Sequence, residues 1–182
     1  MNPQPQIELI EASLRRLSAR LPDAPVASIM LTRLLLQVGR GMADLLDQQI
    51  RPFGLAEAEF RVLTTLFSQP EGVAHPGDLC ARTSQRPANM SRICDALVER
   101  GLITRVASAH DRRRMVLRVT EQGEELVQRL LPAMWLGLRE LYGDLSDQEQ
   151  RQLIGLLKEV GVRLDAVMAP QGAEPPAAEQ PP

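Results

Sequence analysis

Residues 85–92, QRPANMSR, and residues 108–123, SAHDRRRMVLRVTEQG, hold the side chains of this chain best suited to reading a polyanion. In the first stretch Gln85, Arg86, Asn89, Ser91 and Arg92 offer amides, a hydroxyl and guanidinium groups. Gln and Asn pair with the edge of adenine, Arg with that of guanine, and a small residue such as Ala88 can approach a thymine methyl. In the second stretch Arg112, Arg113 and Arg114 follow Asp111 on what reads as a hairpin tip. The planar fork of arginine suits phosphates, and cations are drawn to the negative potential of a narrow minor groove. Asp111 is out of place against DNA, and its expected role is to orient Arg113 by a charge-assisted hydrogen bond.

The formal net charge is −2, but residues 82–118 hold nine arginines against three acids, a net of +6. Residues 1–81 net −2 and residues 119–182 net −6. A basic island in an acidic chain is the electrostatic footprint of a polyanion site. Other chemistry finds less support. Cys80 and Cys94 are too few for a disulfide framework, and Cys94 is expected on the apolar face of its helix as a small buried hydrophobe. His75, His110 and the two thiols lie on separate elements, so no metal site or cofactor is expected, and no third residue completes a Cys-His enzyme. No apolar run approaches the ~18 residues of a membrane helix. The first 16 residues lack a secretory signal, so a cytoplasmic protein is expected.

The elements that position the basic residues follow from periodicity. Residues 1–20 read as a short, partly exposed helix with Ile7, Leu9, Ile10, Leu14 and Leu17 on its apolar side. From Ser28, read as an N-cap, apolar residues at 31, 34, 35, 38, 42, 45, 46 and 50 mark a long amphipathic helix that Pro52 ends. A helix with Phe60, Leu63 and Phe67 inward, a short helix after Pro76, and a helix over 86–100 stopped by Gly101 come next. On that last helix Met90, Ile93, Cys94 and Leu97 share one arc, and Ala88, Arg92 and Asp95 lie opposite.

Two β-rich runs, LITRVAS and RMVLRVT, flank the basic hairpin. Thr120 is placed to cap a helix that Pro132 should kink, and Ser146 and Glu149 form a capping box for the last. There Leu153, Leu157, Val160, Leu164 and Val167 recur at spacings of four and three, the seam of a coiled-coil-like pairing. The fold expected is mainly α with a small β-hairpin wing: a winged helix-turn-helix flanked by dimerisation helices. Residues 1–27 form an N-terminal extension, 28–52 and 120–168 the helical dimerisation region, 53–119 the winged unit, and the Pro-rich 169–182 a disordered tail. An isolated DRRR is usually a solvated turn; behind a helix-turn-helix pattern it reads as a wing.

The stretch RICDALVERGLITRVASAHDRRRMVLRVTEQGEEL resembles the MarR (multiple antibiotic resistance regulator) family. The wing of that family carries Asp, any residue, Arg, then an alternating strand ending in Thr with a Gly three residues on. Asp111, Arg113, Thr120 and Gly123 occupy those places, and the resemblance spans residues 28–168 in element order. IMLTRL, LLPAMW and LSDQEQ are similar to the branch of repressors controlling Emr-type multidrug efflux pumps. The resemblance implies a homodimer on a pseudo-palindromic double-stranded DNA operator, released by small aromatic, phenolic or fatty-acid-like effectors. It places the effector near Met30, Arg33, Leu34, Gln37, Phe60, Met134 and Trp135, with Arg33 as the partner of a carboxylate or phenolate. The bland reading of Met30, Leu34, Phe60 and Trp135 is ordinary core. A different functional class, a winged-helix module docking on an acidic protein, would use the same basic face.

Overall fold

The computed structural model describes residues 4–107 and 115–169. The hairpin tip, with His110, Asp111, Arg112, Arg113 and Arg114, and most of the Pro-rich tail lie outside the described residues. Seven α-helices and three strands are formed among them: α1 Gln4–Arg20, α2 Val26–Ile50, α3 Glu57–Phe67, β1 Val73–Ala74, α4 Pro76–Thr83, α5 Pro87–Glu99, β2 Ile103–Ala107, β3 Met115–Val119, α6 Glu121–Tyr142 and α7 Asp147–Met168. The strands form one antiparallel sheet in the order β1-β3-β2. The β2–β3 ladder pairs Ile103 with Val119 and Ala107 with Met115, so the two strands are in register up to the basic hairpin.

The chain divides into two compact units, residues 1–134 and 135–182. In the first, α3, α4 and α5 enclose a core with the sheet and the start of α6. Val62, Leu66, Leu79, Leu97 and Ile103 are fully inaccessible within it. On α3 the deepest residues are Val62, Leu63 and Leu66, while Phe60 and Phe67 are half-buried at the edge of the core.

One local expectation is corrected. Helix α2 starts at Val26 behind Pro25, so Ser28 lies inside its first turn and its carbonyl accepts from the Thr32 hydroxyl at 2.8 Å. On α1, Leu14 alone of the apolar stripe is fully buried, and Leu9 is 66% exposed. Only the C-terminal end of α2 enters the core, at Leu46 and Ile50; Leu31, Leu35, Val38 and Met42 of the same stripe remain exposed.

Helix α6 begins at a cap built as expected. Thr120 Oγ1 accepts from the Gly123 amide at 3.0 Å and donates to the Gly101 carbonyl at 2.7 Å. Gly101 takes φ +67, the left-handed stop at the end of α5. Helix α6 runs on through Pro132, whose ring nitrogen cannot donate to the preceding turn. In the second unit Ser146 caps α7: its hydroxyl accepts from the Glu149 amide, and Glu149 accepts from the Ser146 amide at 2.8 Å. The Ser146 hydroxyl, donating to the Glu149 carboxylate at 2.6 Å, and then the Ser146 amide hold that carboxyl below its usual range. The α7 residues Leu153, Leu157, Val160, Leu164 and Val167 are all exposed in the single chain. No described helix is long and apolar enough to cross a membrane.

Gly123 is required by contact rather than by conformation. A Cβ there would lie 2.1 Å from the Leu102 carbonyl oxygen and 2.9 Å from a Val119 methyl. Because the first obstacle is backbone, Gly123→Ala should destabilise the first unit by about 1–3 kcal/mol, the usual cost of overpacking. Chemical denaturation checks this, and an unchanged midpoint would contradict the close approach.

Candidate nucleic-acid interface

The helix-turn-helix is assembled by the turn between α4 and α5. Ser84 adopts φ +55 and ψ +34 at the end of α4, and the Gln85 amide donates back to the Cys80 carbonyl at 3.0 Å. This left-handed cap reverses the chain in two residues and delivers Gln85 and Arg86 to the start of α5. Pro87 occupies the first helical position, where its missing amide costs no hydrogen bond. Thr83 is the polar residue buried beneath the turn, and its hydroxyl donates to the Leu79 carbonyl at 2.6 Å.

Helix α5 is held by one face. Met90, Ile93, Cys94 and Leu97 are between 0% and 4% exposed, as their spacing predicts. The opposite face carries Arg86, Ala88, Ser91, Arg92 and Asp95, all exposed, with Gln85 and Asn89 half-buried at the leading end. Three of these side chains form a relay. Asn89 Nδ2 donates to Gln85 Oε1 at 2.6 Å, and Arg92 Nη2 donates to Asn89 Oδ1 at 3.1 Å. The relay orders two amides and a guanidinium along the edge of α5, and these are the groups that pair with adenine and guanine edges in a major groove.

The nine arginines of the basic segment divide into groups. Arg82, Arg86 and Arg92 are exposed. Arg105 on β2 is paired with Asp95 on α5, which links the strand leading to the hairpin to that helix. Arg118 on β3 donates to the Glu71 carbonyl at 3.4 Å, and Arg100 is held by the carbonyls of Phe53 and Gly54. Arg112, Arg113 and Arg114 are outside the described residues, as is the expected Asp111 contact. Sequence reading missed the Asp95–Arg105 pair. The signal available was a carboxylate on the otherwise polar and basic exposed side of α5, ten residues before an arginine.

The seven residues expected around an effector are dispersed. Met30, Leu34 and Gln37 are half-buried and Arg33 exposed along α2, where Arg33 lines an open concavity with Ser28, Ile29 and Thr32. Phe60 packs at the edge of the core and Met134 inside it. Trp135 belongs to the second unit, in a concavity with Leu138, Arg139 and Tyr142. Among the described residues no three His, Cys, Asp or Glu side chains group as metal ligands.

The sequence profile of the MarR family matches residues 53–114, from the end of α2 to the hairpin. Over 157 residues the chain is 35% identical to the transcriptional repressor MprA of Escherichia coli K12, covering 86% of this chain and 89% of that protein. The chain belongs to the MarR family. Its winged helix-turn-helix, α3 to β3, is therefore the DNA-binding unit of a transcriptional regulator of that family. The fold is shared with E. coli MarR, a cysteine-to-serine mutant complexed with operator DNA, at a TM-score of 0.63 and 24% identity over 79% of this chain and 96% of that one. It is shared also with Bordetella bronchiseptica BpsR, whose DNA binding is regulated by 6-hydroxynicotinic acid, at a TM-score of 0.62 and 24% identity over 71% and 91%.

In this MarR-family chain the thiol of the reading helix is sequestered. Burial pushes the Cys94 thiol above its ordinary range; Arg105 opposes the rise, and Asp95 and Cys80 add to it. A thiol held protonated is a poor nucleophile. A disulfide reagent at neutral pH should modify Cys80, half-buried on α4, well before Cys94, which should react fully only on unfolding. Equal rates for the two would contradict the packing of α5.

Proposed function

We propose that the protein is a homodimeric repressor that grips a pseudo-palindromic operator with two copies of α5 and is released by a small aromatic or lipophilic acid. The observation that carries the reading is the ordered Gln85–Asn89–Arg92 edge on a helix whose other face is fixed in the core. Each protomer sets Gln85, Arg86, Ala88, Asn89, Ser91 and Arg92 in a major groove. Arg112, Arg113 and Arg114 enter the flanking minor groove, with Asp111 orienting Arg113. The half-sites lie about one helical turn, ~34–36 Å, apart.

Dimerisation through residues 28–52 and 120–168 is supported by the apolar faces the single chain leaves exposed. These include Leu31, Leu35, Val38 and Met42 on α2, and Leu153, Leu157, Val160 and Leu164 on α7. Apolar surface on this scale marks association. Control of a multidrug or fatty-acid efflux operon rests on the likeness to the Emr-repressor branch at IMLTRL, LLPAMW and LSDQEQ. A cytoplasmic location goes with access to DNA. An aromatic acid as effector is supported by the likeness to BpsR and by the exposed Arg33 guanidinium. Met30, Leu34, Gln37, Phe60 and Met134 of the same unit complete the proposed effector set.

The test is fluorescence anisotropy with DNA from immediately upstream of the coding region, at two salt concentrations and with nonspecific competitor. Competitor-resistant binding is expected, with log K falling by about 0.9 per neutralised phosphate per decade of salt. Arg92→Ala should cost about 1–3 kcal/mol and relax base preference at one position. Salt-independent or wholly nonspecific binding would turn the basic face over to an acidic protein partner.

The effector reading has its own probe: isothermal titration should show benzoate binding, and Arg33→Ala should weaken it about tenfold, the loss of one charge-assisted contact. An Arg33→Ala protein that binds benzoate as well as the parent would remove Arg33 from the site.

A further inference from the structure

The C-terminal end of α5 is joined to three other helices through three consecutive residues. Arg100, the C-cap of α5, donates from Nη1 to the Gly54 carbonyl at 2.7 Å and from Nη2 to the Phe53 carbonyl at 3.1 Å. Both acceptors belong to the 3₁₀ turn, Arg51–Phe53 and its left-handed Gly54 cap, that closes α2. A cation suits that position, because carbonyls left unpaired at a helix end carry partial negative charge. The same guanidinium lies 3.4 Å from Glu59, and Glu59 accepts from the Ala56 amide at 3.1 Å to cap the start of α3. Gly101 and Leu102 hold the start of α6: their carbonyls accept from the Thr120 hydroxyl at 2.7 Å and the Thr120 amide at 3.1 Å.

We infer that Arg100 is a positioning residue for DNA reading, one that fixes the angle of α5 against α2 and so sets the spacing of the two reading helices in a dimer. The inference rests on the proposed homodimeric DNA-binding function. Arg100 is removed from the DNA-facing edge of α5, on the last turn, and its donors are engaged by backbone 46 and 47 residues away. A planar fork that meets two carbonyls at once restrains orientation as well as distance, which a lysine ammonium at the same place does not. A third contact to the partly buried Glu59, whose side chain is 19% exposed, further restricts the geometry. Both long helices that leave the reading unit, α2 before it and α6 after it, are therefore referenced to residues 100–102. A change in the angle between them reaches α5 through this joint.

The test compares the parent chain with Arg100→Lys and Arg100→Ala. Spin labels on Ser91→Cys, in a Cys80→Ser background, report the distance between the two α5 helices of the free dimer. The unlabelled Arg100 variants are assayed for upstream DNA against nonspecific DNA. A narrow distance distribution is expected for the parent and a broadened one for Arg100→Lys. The preference for upstream over nonspecific DNA should fall about tenfold, within the usual range of coupling between sites, while nonspecific affinity stays within about twofold.

If Arg100→Ala does not fold, Arg100→Lys carries the comparison. An Arg100→Lys protein that loses thermal stability but keeps both the narrow distribution and the preference would overturn the inference, leaving Arg100 as a stabilising contact alone. Absence of any inter-label signal in the parent would overturn the dimer reading and this inference with it. A normal signal without DNA preference in the parent would overturn the DNA reading instead.

Discussion

Residue 123 has room for no side chain, and the order of the reading unit depends on that. The first turn of α6 lies against the backbone of Leu102, with a prospective Cβ 2.1 Å from its carbonyl oxygen, as Thr120 bridges Gly101 and Gly123. Because Leu102 is also the residue whose amide closes the end of α5 by bonding to the Leu97 carbonyl, the same contact fixes where the reading helix stops. Ile103, one residue on, begins the ladder to Val119 and is fully buried in the core. The cap of α6, the end of α5 and the root of the wing are thus one packed joint.

What could be read from the sequence was local. The buried face of α5 follows from a spacing of three and four, and Met90, Ile93, Cys94 and Leu97 lie where that spacing puts them. The caps at Thr120 and Ser146 depend on residues three positions apart. What escaped is non-local. β1 is two residues long and exists because Val73 and Ala74 find Arg118 and Leu117 on β3. The Arg100 contact joins residues 46 positions apart, and no periodicity announces it. The apolar stripe of α2 was legible as a stripe, but that Leu46 and Ile50 are the part of it that enters the core depends on packing the spacing does not encode.

The charge count needs a similar correction. Nine arginines between residues 82 and 118 look like one field, yet Arg100, Arg105 and Arg118 bind carbonyls or a carboxylate of the chain itself. They hold the domain together at the places where β2, β3 and α5 meet the rest of it. The Asp95 carboxylate, out of keeping with its basic and polar neighbours on α5, is paired with Arg105 and so links the wing strand to that helix.

The relay of Gln85, Asn89 and Arg92 bears on how such a surface can change over time. Each side chain is oriented by the next, Asn89 donating a hydrogen bond to Gln85 and accepting one from Arg92. Substituting any one alters the geometry of the others, so on the proposed reading their effects on base preference should not add. A lineage that altered its target sequence one substitution at a time would pass through forms with an amide or guanidinium aimed at nothing. New specificity at this edge is therefore expected to arise by replacement of the three residues as a set, with strong epistasis among them, while Ala88 and Ser91, which stand outside the relay, remain free to vary singly.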